Sequence, residues 1–229
     1  MLEANQKTIS KSVSFSGIGL HSGLKSKITI LPAEVNKGII FKRIDLKSNN
    51  LVEANYKYVS SAKLCTTLKN KFDVVVSTVE HLIAALYIAG IDNALIEINN
   101  PEVPIMDGSS KEFMEKINEV GLKELKAKRK YLKIIKKVNL KEDTKNISIE
   151  PDSEGLKVDF QLVYSNKVIG KQRNKINFTE NDLEAVYNSR TFCLYEDVEK
   201  IKKIGLAKGG SLENAIVVKG KEILNKGGL

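Results

Sequence analysis

The stretch Ser77-Thr78-Val79-Glu80-His81-Leu82 sets a carboxylate beside an imidazole, just ahead of the apolar run Ile83-Ala84-Ala85-Leu86-Tyr87-Ile88-Ala89. A carboxylate can take a proton from water, and a neutral imidazole can ligate a metal or carry a proton. Two readings of Glu80 stand side by side. Ser77 and Glu80 have the S-x-x-E spacing of a capping box, in which Glu80 only returns a hydrogen bond to the Ser77 backbone. In the other reading Glu80 is a general base. Counted from a Ser77 cap, His81 is the fourth helical residue, where an apolar side chain would pack against Val76; an imidazole there wants a hydrogen-bond partner or a metal. Gly90 predicts the end of this helix.

The chain's other histidine, His21, lies in the glycine-punctuated turn Gly17-Ile18-Gly19-Leu20-His21-Ser22-Gly23. It is either an exposed turn residue or a second imidazole brought near His81. Two cysteines, Cys65 and Cys193, do not make a disulfide framework.

Around these residues the hydrophobic pattern predicts strands over 8–15, 25–31, 38–44, a stretch of 60–70 centred on 64–68, 72–76 and 93–98. Asn99 to Ser109 holds two prolines and an Asp-Gly step and reads as a rigid loop. Ser109 and Glu112 have the spacing of a second capping box, opening a helix that closes at Gly121. Residues 122–130 are charged and mark the boundary between two halves, 1–126 and 127–229. The second half repeats the first: strands near 132–140, 147–150, 156–163 and 171–178, a helix opened by Thr179-Glu180-Asn181-Asp182, a break at 190–194, a helix over 198–204 and a strand over 215–219. The fold class is therefore α+β: two domains of similar topology, each a layer of helices on a β-sheet. No phosphate-binding glycine loop follows a strand, since Gly17-x-Gly19 is too short.

Composition narrows the function classes. The chain has 229 residues, 42% hydrophobic and 28% charged, a globular profile. The polar first twelve residues carry no signal-peptide core, and no apolar run reaches membrane-spanning length. With only two cysteines, these features predict a cytoplasmic protein. A net charge of +9 suits an anionic partner. Aromatic residues are 6% and do not alternate with basic ones, so the lysines read as a solvated surface rather than a nucleic-acid face.

Four stretches then line up: Gly17-Ile-Gly-Leu-His-Ser-Gly23, Ser77-Thr-Val-Glu-His81, Pro104-Ile-Met-Asp-Gly-Ser109 and Ser189-Arg-Thr-Phe192, followed by Lys208-Gly-Gly-Ser211 and Ala215-Ile-Val-Val218. In this order and spacing the chain, from about Thr8 onward, closely resembles the zinc-dependent UDP-3-O-acyl-N-acetylglucosamine deacetylases (the LpxC family), which remove the acetyl group from an acylated sugar nucleotide in lipid A synthesis. The resemblance implies two helix-on-sheet domains with the active site between them. It implies that His81 ligates Zn2+, that Glu80 is the base for the metal-bound water, and that Thr191 helps hold the oxyanion. It places Phe192, Leu194, Val198, Leu212 and Val217 along the acyl-chain passage, Tyr164 near the uracil and Lys145 near the nucleotide. His21 and Cys65 fall where some members bind a second, inhibitory metal. The partner is then a small acylated UDP-amino sugar. Neither nucleic acid nor a membrane span is expected, peripheral membrane contact would come through the acyl chain, and the protein would be a monomer.

In the family, Gly-Gly-Leu is followed by two further zinc ligands and a later histidine acting as general acid, whereas this sequence stops at Gly227-Gly228-Leu229. The expectation is a second domain lacking its last part and a chain inactive by itself. The alternative is a non-catalytic short form that binds the sugar-nucleotide lipid or a protein partner.

Overall fold

The structure, a computed structural model, describes residues 4–179 and 183–227. Helices and strands are mixed, as an α+β fold requires. The strands of the first part are β1 (Asn5–Ile9), β2 (Val13–Ile18), β3 (Lys25–Pro32), β4 (Ile39–Arg43), β5 (Leu51–Glu53), β6 (Val59–Ser61), β7 (Thr67–Lys69), β8 (Val75–Ser77), β9 (Ala94–Ile98) and β10 (Leu122–Lys128), with helices α1 (Glu80–Ala89) and α2 (Lys111–Val120).

The central sheet runs β2-β3-β9-β4-β5. Alternation in Lys25-Ser26-Lys27-Ile28-Thr29-Ile30 sends Ser26, Ile28 and Ile30 inward and both lysines outward. Ile28 pairs with Ile98 and Ile30 with Ile96 across the antiparallel β3–β9 ladder, and Phe41 sits beside Ile96 across the parallel β4–β9 ladder. Helix α1 buries Leu82, Ala85 and Leu86, and α2 buries Phe113, Met114 and Ile117. The Phe113 ring meets Phe15 edge-on with centroids 4.9 Å apart. Each fully buried Leu, Ile or Phe side chain among these contributes roughly 1.5–3 kcal/mol. Gly90 ends α1 in the left-handed conformation, φ 76°, with its N–H on the Leu86 and Tyr87 carbonyls.

Several expectations are corrected. The strand expected over 8–15 is two strands, broken at Ser10-Lys11-Ser12, because β1 leaves the central sheet and pairs instead with β10. The charged stretch 122–130 is accordingly a strand rather than a linker: Asn5 opposes Lys128, Ile9 opposes Leu122, and Arg129 beyond it donates to the Gly90 carbonyl and to Asp92. The boundary proposed at 126/127 falls inside β10. The second capping box does not form, since α2 has Ser110 as its cap with no side-chain bond; Ser109 Oγ instead accepts the Lys111 N–H at 3.0 Å and donates to Asp107.

The second part contains β11 (Val138–Glu142), β12 (Lys145–Ile149), β13 (Lys157–Val163), β14 (Lys171–Asn177), α3 (Glu184–Tyr187), β15 (Phe192–Leu194), α4 (Tyr195–Lys203), β16 (Ile216–Lys219) and β17 (Glu222–Ile223). β11–β12 and β13–β14 are two-stranded ribbons, and β15-β16-β17 is a three-stranded sheet with a parallel β15–β16 pair. Residues 132–137 lie outside any strand. Of the helix opening expected at 179–182, Glu180, Asn181 and Asp182 lie outside the described residues, as do Gly228 and Leu229. Among the described residues no helix is long and apolar enough to cross a membrane.

Candidate active site

The entry into α1 sets the geometry of the carboxylate and imidazole. Thr78 takes a left-handed φ of 55°, and Val79 is the helix cap without a side-chain cap bond. Glu80 is therefore the first helical residue and His81 the second, not the fourth. The capping-box reading of Glu80 is overturned: Glu80 Oε2 accepts the Thr66 backbone N–H at 3.0 Å, while the Ser77 N–H donates to the Pro101 carbonyl at 2.8 Å. A half-buried carboxylate at a helix N-terminus also lies at the favourable end of the helix dipole.

The loop 101–110 gathers the rest. Ser110 Oγ donates to the His81 carbonyl at 2.8 Å. The Gly108 carbonyl accepts the Thr191 N–H at 2.8 Å, and Arg190 Nε donates to the Asp107 carbonyl at 2.7 Å. Gly108 has φ 89°, and a Cβ there would collide with the Asn214 carbonyl, so only glycine lets the chain segments approach this closely. Asn214 in turn accepts the Ser211 N–H, and the Lys208 and Gly209 N–H groups reach the His21 and Leu20 carbonyls. The four motif stretches, far apart in the chain, thus meet around one loop.

His21 is buried rather than exposed in its turn. Its Nδ1 accepts the Ala207 N–H at 3.3 Å, while Nε2 makes no well-formed hydrogen bond. The neighbouring Cys65 thiol is the largest influence raising the His21 pKa above the ordinary imidazole value; Glu102 adds to it and burial opposes it. The Cys65 thiol is pushed up by burial, but His21 and Thr67 outweigh that and hold it below its ordinary value. His21 and Cys65 therefore stand together. Burial lowers the His81 pKa, against the charges of Glu80 and Asp107, so this imidazole favours its neutral, electron-pair-donating form.

The remaining predicted residues are more spread out. Tyr164 and Phe192, expected at different ends of a substrate, pack edge-to-face with centroids 5.5 Å apart. Leu194 is half-buried at the end of β15, Val198 is half-buried on α4, Val217 is buried on β16 and Leu212 is exposed. Lys145 is exposed where the β11–β12 ribbon turns, opposite Glu142. A cavity of about 350 Å³ is lined by Phe192 together with Leu162, Ile169, Ile216 and Val218; of the predicted acyl-passage residues only Phe192 lines it. A larger apolar groove of about 530 Å³ starts at Glu80 and Thr66 and runs along Ile83, Tyr87 and Ile88 to Leu156, Val158 and Phe178. Sequence reasoning missed this groove, although the apolar residues of α1 beyond those needed for one buried face were its signal. It also left Glu102 within a rigid loop, although an acid flanked by Pro101 and followed by Val103-Pro104 is an odd occupant of an exposed turn.

Zinc binds tetrahedrally, and a catalytic site takes three protein donors and keeps one position open. Among the described residues no three His, Cys, Asp or Glu side chains converge in that way. His81 offers one donor. Near His21 and Cys65, the Glu102 carboxylate is already occupied by other hydrogen bonds. The described residues do not complete a zinc site.

An α+β protein with a carboxylate–imidazole pair at a helix N-terminus, tied through one loop to a hydroxyl-bearing threonine, is the class the fold and site define. The chain belongs to the LpxC family: the model of the UDP-3-O-acyl N-acetylglycosamine deacetylases matches residues 6–229. Relatives named UDP-3-O-acyl-N-acetylglucosamine deacetylase include one from Legionella pneumophila (strain Corby), 40% identical over 227 residues, and one from Nautilia profundicola, 42% identical over 221. The alignments cover 98% and 96% of this chain and 74% of each relative.

Proposed function

We propose that this chain is a cytoplasmic, monomeric deacetylase polypeptide acting on UDP-3-O-acyl-N-acetylglucosamine in lipid A biosynthesis, built as two domains that meet at the site. The observation that carries this reading is the convergence of Glu80-His81, the 101–110 loop and Thr191, since family motifs that meet in space are worth more than motifs that merely occur in order. Glu80 is the general base. One of its oxygens is held by the Thr66 N–H, leaving the other to take a proton from water. Such a base is typically worth ~10²–10⁴-fold in rate. His81 is the metal donor, and Thr191 is the hydroxyl donor to the oxyanion. The groove beside Glu80 and the Tyr164–Phe192 pair are apolar surfaces suited to an acyl chain and a nucleobase, and Lys145 is a cation for the diphosphate. The acyl chain supplies any peripheral contact with a membrane.

When bound, zinc would polarise the amide and acidify water. Among the described residues His81 is the one donor at this position, which supports a chain that holds zinc weakly and turns over little by itself. The same count favours a second reading, in which this chain binds the acylated UDP-sugar without hydrolysing it. Zinc per chain, calorimetric binding of the acylated UDP-sugar and free-amine product formation, measured on one preparation, separate the two. Binding with product supports the deacetylase, binding without product supports the second reading, and failure to bind the sugar nucleotide overturns both.

A further inference from the structure

Glu102 is a buried carboxylate, 1% exposed, with no part in the proton chemistry proposed above. A buried charge persists only where hydrogen bonds replace its lost water. Glu102 Oε1 accepts the His21 N–H at 2.8 Å and the Thr78 hydroxyl at 2.8 Å, and Oε2 accepts the Ser22 N–H at 2.7 Å. A Cβ at Gly19 would run into this carboxylate, so the turn around His21 wraps it closely.

Thr78 explains what the carboxylate is for. It is β-branched yet left-handed, φ 55°, a conformation that persists only where its surroundings over-determine it. Those surroundings come from residues 101–103. The Ser77 N–H donates to the Pro101 carbonyl and the Val103 N–H to the Ser77 carbonyl, which brackets the turn from one side. The bond from Thr78 Oγ1 to Glu102 holds the turn residue itself. Two residues later the chain delivers Glu80 and His81.

We propose that Glu102 is the positioning residue of this site: one carboxylate clamps the Thr78 turn and the His21 loop together, and so sets where the Glu80–His81 pair points. The inference rests on reading that pair as the reacting groups.

The chain has only two histidines, so imidazole C–H NMR signals report both loops without ambiguity, and His81→Gln assigns them. Glu102→Gln keeps the shape but turns an acceptor into an amide donor facing hydrogen-bond donors. Thr78→Val removes the hydroxyl at constant volume, and Thr78→Ser restores it. Ser26→Ala is the control for general loosening, because Ser26 Oγ donates to the Glu102 backbone carbonyl and not to its carboxylate. The expected result on the full 229-residue chain is a shifted His81 signal in Glu102→Gln and Thr78→Val, a wild-type signal in Thr78→Ser and little change in Ser26→Ala. If Glu102→Gln fails to fold, the Thr78 pair decides. A His81 signal unmoved in folded Thr78→Val, or moved as far by Ser26→Ala, overturns the proposal. The readout needs neither zinc nor turnover: shifted signals with no sugar-nucleotide binding would sink the deacetylase reading and leave the clamp standing.

Discussion

Glu80 Oε2 accepts the Thr66 backbone N–H at 3.0 Å across fourteen residues of chain. This bond ties the candidate base to the segment that carries Cys65 and leaves Ser77 free to bond to Pro101. It also separates the chemical role of Glu80 from its structural one, because an amide oxygen can accept the same N–H but cannot act as a base.

Glu80→Gln should therefore keep a near-wild-type Tm while lowering deacetylation, wherever wild-type turnover is measurable, by ~10²–10⁴-fold. Glu80→Ala should lose both, with a stability cost of about 1–3 kcal/mol for the orphaned donor. Thermal unfolding run beside the product assay reads both quantities. Equal turnover in wild type and Glu80→Gln would remove Glu80 from the chemistry.

Thr191→Val should lower turnover by about 10²–10³-fold if its hydroxyl meets the oxyanion. The fold should hardly notice, because the bonds that dock Thr191 are backbone ones, from its N–H to Gly108 and from the Ile216 N–H to its carbonyl. A Tm loss matching the activity loss would mean that the hydroxyl is structural.

Gly108→Ala should destabilise the protein by roughly 1–3 kcal/mol, the cost of a non-glycine residue forced into a strained backbone region, before the clash with Asn214 is added. For a chain of this size each kcal/mol lowers Tm by roughly 2–4 °C. Urea melts compared with Gly38→Ala, at a left-handed glycine with open space around it, isolate the clash.

The two histidines should titrate on opposite sides of the ordinary imidazole value of about 6.5. The His21 midpoint lies above it, chiefly because of Cys65, and the His81 midpoint lies below it, chiefly because of burial. The signs for stability follow. His21 favours its proton when folded, so its contribution is full below the ordinary value and is lost as pH rises through the raised one. His81 releases its proton more readily when folded, so its contribution is present above the ordinary value and is lost as pH falls through the lowered one. NMR titration gives the order of the midpoints. His81→Gln should flatten the acid side of the stability curve and leave the loss of stability as pH rises through the His21 region intact; inverted midpoints would refute the assignment.

Local residue types already determined much of this molecule. Alternation set the inward and outward faces of β3, left-handed glycine closed α1 at Gly90, and the adjacent carboxylate and imidazole marked Glu80 and His81, while Thr191 was marked by the family resemblance alone. These are short-range properties, carried by side-chain chemistry within a few residues. Contacts across long stretches of chain decided the rest. The cap of α1 lies at Val79 rather than Ser77, and the left-handed Thr78 between them gives its hydroxyl to Glu102, twenty-four residues away. The lysine-rich 122–128 segment became a strand because β1, more than a hundred residues earlier, supplies its backbone partners. Ladder hydrogen bonds and buried carboxylates draw on whatever the fold brings near, so no local window of sequence contains them.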